Sequence, residues 1–169
     1  ASWLECSAIS CRSVRPSGTV SASCGTFAGG LGSFATAAKI PTWYATLSKP
    51  SWNPPSWVFG PVWTTLYILM AVAAWMIWMR AEQPGAGRAL VWFGIQLVLN
   101  TLWSFVFFGM ERPGAAFVEI VAMWLAIVLT IAAFRTISPI AAALLLPYLA
   151  WVTFASVLNA TLWRLNPGA

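Results

Sequence analysis

Between residues 58 and 163 only Arg80, Glu82, Arg88, Glu111, Arg112, Glu119 and Arg135 carry charge, and all but Glu119 sit in three short gaps. The gaps leave four long apolar runs, at residues 58–80, 89–110, 114–135 and 139–163. Twenty residues of helix rise about 30 Å, the depth of a bilayer's hydrocarbon core. Inside lipid the backbone must satisfy its own hydrogen bonds, and a single apolar segment does so only as a helix. Each run is therefore predicted to be a spanning helix. The intervening "AEQPGAG", "ERPG" and "TISP" supply turns through Gly and Pro. Composition agrees, because 60% of the 169 residues are hydrophobic and 8% are charged. Soluble domains carry roughly a quarter charged residues.

A further span is predicted at residues 19–38, "TVSASCGTFAGGLGSFATAA", which is uncharged but poor in large aliphatics. Its small residues, Gly29 and Gly32 among them, let membrane helices approach closely, so it is expected to pack inside the bundle. The expected fold is an all-α membrane protein. One five-helix transmembrane domain covers residues 19–169, with an atypical first helix, and residues 1–18 form a disordered leader. No basic start leads into a compact Leu-rich core, which argues against a cleaved secretory signal. The connections on one side hold Arg12, Arg15, Arg80, Arg88 and Arg135, and those on the other Lys39, Lys49, Arg112 and Arg164. That split does not orient the chain.

Several chemistries are disfavoured at this level. The net charge of +5 is spread singly between apolar runs and makes no basic face, so nucleic acid is not an expected partner. Histidine is absent, which removes the commonest metal ligand and general base. Cys6, Cys11 and Cys24 form no C-x-x-C pair, and no metal is expected. With no nucleophile–base pair and no phosphate loop, hydrolytic or acid–base catalysis is not expected.

Residues 39–57 join the first two spans and contain Pro41, Pro50, Pro54 and Pro55, with Pro61 just beyond. These prolines forbid a continuous helix and stiffen the connection. Trp43, Tyr44, Trp52 and Trp57 lie in the same stretch, suited to an interfacial belt of rings facing lipid and N–H or O–H groups facing water. A rigid aromatic lid over a cavity accounts for both rings and prolines.

Helical spacing then selects faces. Phe59, Trp63, Tyr67 and Met70 recur at four and three in the run after the loop, and Tyr148, Trp151, Ala155 and Leu158 or Asn159 do so in the last run. Such stripes serve either as packing surface or as walls of a ligand slot. Pro147 is expected to bend the last helix and make room beside Trp151. Gln96, Asn100 and Trp103 share a face of the run at 89–110, where the amides either bond across helices or orient a polar ligand. Glu119 is read as lying near headgroups at the start of its helix, pairing with Arg112, or belonging to a dimer surface. Close helix contact in a homodimer is expected at the small residues Gly29, Gly32, Ala71 to Ala74, Ala115 and Ala116.

Three segments also carry a family resemblance: "WYATLSKPSWNPPSWVFGPVWTTLY", "QLVLNTLWSFVFFGMERPGAAFVEI" and "LLLPYLAWVTFASVLNATLWRLN". In order and spacing they resemble the TspO, or translocator protein, family from about residue 29 to the end. Residues 1–24 depart from that family's first helix, which is richer in large aliphatics. The resemblance implies a five-helix bundle in a bacterial membrane, or the mitochondrial outer membrane in a eukaryote. It implies a homodimer that takes porphyrins, sterols and flat aromatic ligands, with no required cofactor. The implied ligand contacts are Ser33, Phe59, Gly60, Val62, Trp63, Ala115, Trp151, Ala155 and Leu158. Trp52, Tyr67, Asn100, Trp103 and Tyr148 join them from the residue reading.

The expected function is a membrane receptor or sensor for tetrapyrroles such as protoporphyrin or haem. The rival expectations are a light-dependent porphyrin-degrading enzyme, with Trp63 and Trp151 as its candidate residues, and a porphyrin or sterol transporter. The family's C-terminal sterol pattern is incomplete here, since Ala160 stands where a tyrosine is expected before Arg164.

Overall fold

The computed structural model describes residues 43–167, and all regular structure among them is helical. The expected helix at 19–38, with Ser33, Gly29 and Gly32, the leader at 1–18 and the three cysteines lie outside the described residues.

A short helix α1 (Trp43–Thr46) leads through an irregular loop to a 3-10 turn, Ser56–Val58, that runs into α2 (Phe59–Trp78). Helix α3 (Ala86–Ser104) continues as a π-helical turn, Phe105–Gly109, before α4 (Pro113–Arg135). The chain ends in α5 (Pro139–Leu144) and α6 (Leu146–Leu165). Four stretches are long and apolar enough to cross a bilayer: Ser56–Trp78, Ala86–Gly109, Pro113–Arg135 and Pro139–Leu165.

The boundaries follow from local chemistry. Pro61 does not act as a breaker, because it falls in the first turn of α2, where backbone N–H groups have no helical acceptor to lose. Gly85 takes φ 90°, a left-handed conformation open to glycine, immediately before α3. The tight turn from α3 to α4 passes through Glu111 at φ 57°, uncommon for a residue with a side chain. Ser138 caps α5, its hydroxyl accepting from the Ala141 N–H at 3.3 Å. Pro147 interrupts the last span as expected: α5 stops at Leu144 and α6 starts afresh at Leu146.

Short turns make successive spans antiparallel. The main interfaces are α3 with α4 and α4 with α6, while α2 packs on α3 and α5. The larger core cluster runs from Leu66, Met70, Ala73 and Ile77 on α2 through Ile120, Met123 and Ile127 on α4 to Tyr148 and Val152 on α6. A second cluster beneath the loop gathers Tyr44, Leu47, Phe107, Phe108, Ala116, Leu158 and Leu162. Hydroxyls within the spans return to their own helix: Thr101, Thr130, Thr153, Ser156 and Thr161 each donate to the carbonyl four residues back. No polar hydrogen is then left facing lipid at these positions.

The π turn sets the α3 end of the second cluster. The Met110 N–H reaches the Phe105 carbonyl at 3.0 Å, one residue further than an α-helix allows. Consecutive Phe107 and Phe108 are both buried there, against the Tyr44 ring.

Candidate functional site

The loop before α2 is pinned from three sides. Tyr44 donates to Asn53 Oδ1 at 2.9 Å, and its ring carries the Lys49 ammonium 4.8 Å above its centre. The Asn166 carboxamide, just beyond α6, accepts from the Ser48 N–H at 3.0 Å and donates to the Ser48 carbonyl at 3.1 Å. Trp52 meets Phe154 of α6 edge to face at 5.9 Å. Burial holds the Tyr44 phenol above its ordinary pKa, with the Asn53 bond opposing that rise.

Below the loop the α2 and α6 stripes face each other. Phe59 packs edge to face on Trp151 at 5.8 Å, and Trp151 packs on Phe154 at 5.6 Å. One turn deeper, Trp63 lies 5.5 Å from Tyr67 and 6.4 Å from Tyr148, centre to centre. Val62, Trp63, Trp151 and Ala155 are half-buried against the larger core cluster. The rings thus form two groups between the helices, Trp52, Phe154, Trp151 and Phe59 above and Trp63, Tyr67 and Tyr148 below.

A polar relay crosses the lower group at its base. Tyr67 donates to Asn100 Oδ1 at 2.8 Å, Asn100 Nδ2 donates to the Tyr148 hydroxyl at 3.2 Å, and that hydroxyl reaches Met123 sulfur at 3.7 Å. Asn100 therefore acts as interhelical glue, one of the two roles open to it. Gln96, one turn along α3, is 1% exposed and its amide has no hydrogen-bond partner.

Trp103 packs against both core clusters, stacked on Phe107 at 5.0 Å and edge to face with Phe108. The orientation of the Asn159 amide that satisfies both its groups takes the Trp103 indole N–H at 3.2 Å and donates to the Pro113 carbonyl at 2.9 Å. Leu158 is buried in the second cluster, away from Trp63. Gly60 and Ala115 are exposed. Ala73 and Ala116 are fully buried inside the bundle, so neither supplies an outward-facing contact for a dimer, whereas Ala71 and Ala115 are exposed.

Glu119 corrects its sequence reading. Its carboxylate is not paired with Arg112: both oxygens are buried and lack a hydrogen-bond partner, while Arg112 is exposed. The cause is helical register, since Glu119, Met123, Ala126 and Thr130 recur on one face of α4 and the last three are buried.

The pinning residues Asn53 and Asn166, and the Trp103–Asn159 pair, escaped the sequence reading. Asn159 appeared only as an alternative to Leu158, although an amide in the last turns of an apolar span was the available signal. A groove of about 440 Å³ also lies between α4 and α6, lined by Phe117, Trp124, Thr153, Val157, Ala160 and Arg164 among others. None of the expected ligand residues among those described lines it.

Among the described residues there is no cluster of potential metal ligands. The model of the TspO/MBR family matches residues 20–164. The chain is 50% identical to the tryptophan-rich protein TspO of Chlorobaculum tepidum over 74% of its own length and 80% of the relative's. It is 46% identical to the tryptophan-rich sensory protein of Cereibacter sphaeroides, covering 73% and 77% of the two chains. It is 45% identical to the human translocator protein, covering 75% and 76%.

Proposed function

The chain belongs to the TspO/MBR family and is an integral membrane protein, and we propose that it is a membrane sensor that binds tetrapyrroles between the α2 and α6 aromatic walls. The observation that carries this reading is the pair of ring groups between the two helices, Phe59 with Trp151 above and Trp63 with Tyr67 and Tyr148 below, beneath a pinned loop. A flat macrocycle gains roughly 25 cal/mol per Å² of apolar area buried, before ordering costs. The preformed wall lowers those costs because its rings already hold one another in place. In this reading residues 19–38 form the fifth helix of the bundle, Ser33 faces the ligand, and the protein works as a homodimer.

Saturable quenching of tryptophan fluorescence by protoporphyrin tests the site, and substitution of Trp63 and Trp151 must weaken it. Quenching that is the same in wild type and double variant rejects the assignment. A second reading, light-driven porphyrin breakdown, has support in the contact of Trp63 with two tyrosine rings, a surface on which an indole can exchange an electron with a stacked ligand. Illumination of the complex separates the two: bleaching of the porphyrin band that vanishes in Trp63→Phe marks turnover, and a stable spectrum marks binding alone.

A further inference from the structure

Two polar side chains inside the bundle have no use in the site described above. On α3, Gln96, Asn100 and Trp103 recur along one face, and on antiparallel α4 Glu119, Met123, Ala126 and Thr130 do the same. The Tyr148 hydroxyl joins the two faces, taking the Asn100 amide and touching Met123 sulfur. Gln96 and Glu119 flank this bridge, each one helical turn, about 6 Å, along its own helix. Neither the Gln96 amide nor the Glu119 carboxylate has a partner, although all four of their polar atoms are buried. Glu119 is the one carboxylate within the four spans among the described residues.

Leaving such groups unmet is expensive in a low-dielectric interior, and ionisable residues kept there mark sites of binding or transfer. The balance of donors and acceptors identifies what would satisfy them. Glu119 offers two acceptor oxygens and Tyr148 a phenolic oxygen, while Gln96 lies on the far side of the bridge, about two turns from Glu119. Among the described residues the one buried side-chain donor without a partner, Gln96 Nε2, is therefore also on that far side. An acceptor-rich strip beside aromatic walls suits a group that brings several N–H donors and positive charge.

We propose that Glu119, with the Tyr148 oxygen one turn away, is an anchoring subsite for the protonated primary amine of a flat, apolar ligand. The ammonium supplies three donors and no acceptor, and the charge-assisted bond to Glu119 is the strong one. This rests on the reading of the bundle interior as a ligand site.

Two pyrenes that differ in one group test it: 1-pyrenemethylamine and 1-methylpyrene, titrated into the full chain in neutral detergent and followed by tryptophan quenching. The amine is expected to bind about tenfold or more tightly than the methyl compound, the worth of a hydrogen bond to a charged group. In Glu119→Gln that preference falls to about one, while affinity for 1-methylpyrene and protoporphyrin stays the same. Glu119→Leu gives the same collapse and covers a glutamine variant that does not fold. Equal binding of both pyrenes to wild type overturns the proposal. So does a preference that survives in both variants, or a failure of either pyrene to bind while protoporphyrin does. If no flat ligand binds at all, protoporphyrin included, the tetrapyrrole reading falls with it.

Discussion

Replacing Tyr148 with Phe removes one oxygen from the centre of the bundle and keeps the ring that packs against Trp63. The lost hydroxyl leaves Asn100 Nδ2, on a residue 6% exposed, with no acceptor. An orphaned buried donor costs about 1–3 kcal/mol in water-soluble cores, and cycles in membrane bundles give about 0.6–1.7 kcal/mol. A loss of about 1–2 kcal/mol is expected, or a fall in Tm of about 3–6 °C for a chain of this size. Tyr67→Phe is the internal control. Its ring is 41% exposed and its hydroxyl is the outer end of the relay, so its removal is expected to cost less than about 1 kcal/mol. Thermal unfolding in detergent, followed by circular dichroism, reads both, and the double variant gives their coupling through Asn100. A Tyr148→Phe protein as stable as wild type, or one more stable than Tyr67→Phe, refutes the relay as a structural element.

Three further outcomes follow from the loop and its surroundings. Asn166→Ala loses both bonds to Ser48 and is expected to speed amide exchange about tenfold across residues 48–52, with exchange in the spans unchanged. The raised pKa of Tyr44 favours the neutral phenol in the folded loop, so its contribution is whole below pH 10.0 and fades as pH climbs through the higher folded value; Tyr44→Phe should flatten alkaline unfolding. In Gly114→Ala the new Cβ would meet the Trp163 indole at 2.8 Å, so this change should destabilise the wild type by about 1 kcal/mol and cost nothing in a Trp163→Ala background.

The spans were legible because the charged residues that interrupt the apolar runs are the same residues that must stay out of lipid. Pro147 announced the break before α6 because a missing N–H has a fixed consequence for the helix around it. The stripes on α2 and α6 were legible through their 3.6-residue period, which tertiary packing had no cause to override. By contrast, the π turn at Phe105–Gly109 has no compositional mark, and the single inserted residue rotates everything after it. That rotation lets consecutive Phe107 and Phe108 both turn inward beneath the loop, against Trp103 and Tyr44, a pairing that a straight-helix reading does not offer. The separation of Glu119 from Arg112 was not legible either: both lie near one helix start, but the neighbours that decide burial come from other helices. Asn166 lies 118 residues from Ser48, and pairing at that separation is set by the fold as a whole.

The central claim is that the indoles of Trp63 and Trp151 form walls of a tetrapyrrole slot. It is tested most directly by titrating protoporphyrin against wild type and a Trp63→Phe, Trp151→Phe variant, using quenching of the remaining tryptophans. The account predicts saturable quenching in wild type and a Kd at least about tenfold weaker in the variant, from lost stacking area and two lost indole N–H donors. Superimposable titration curves would contradict it.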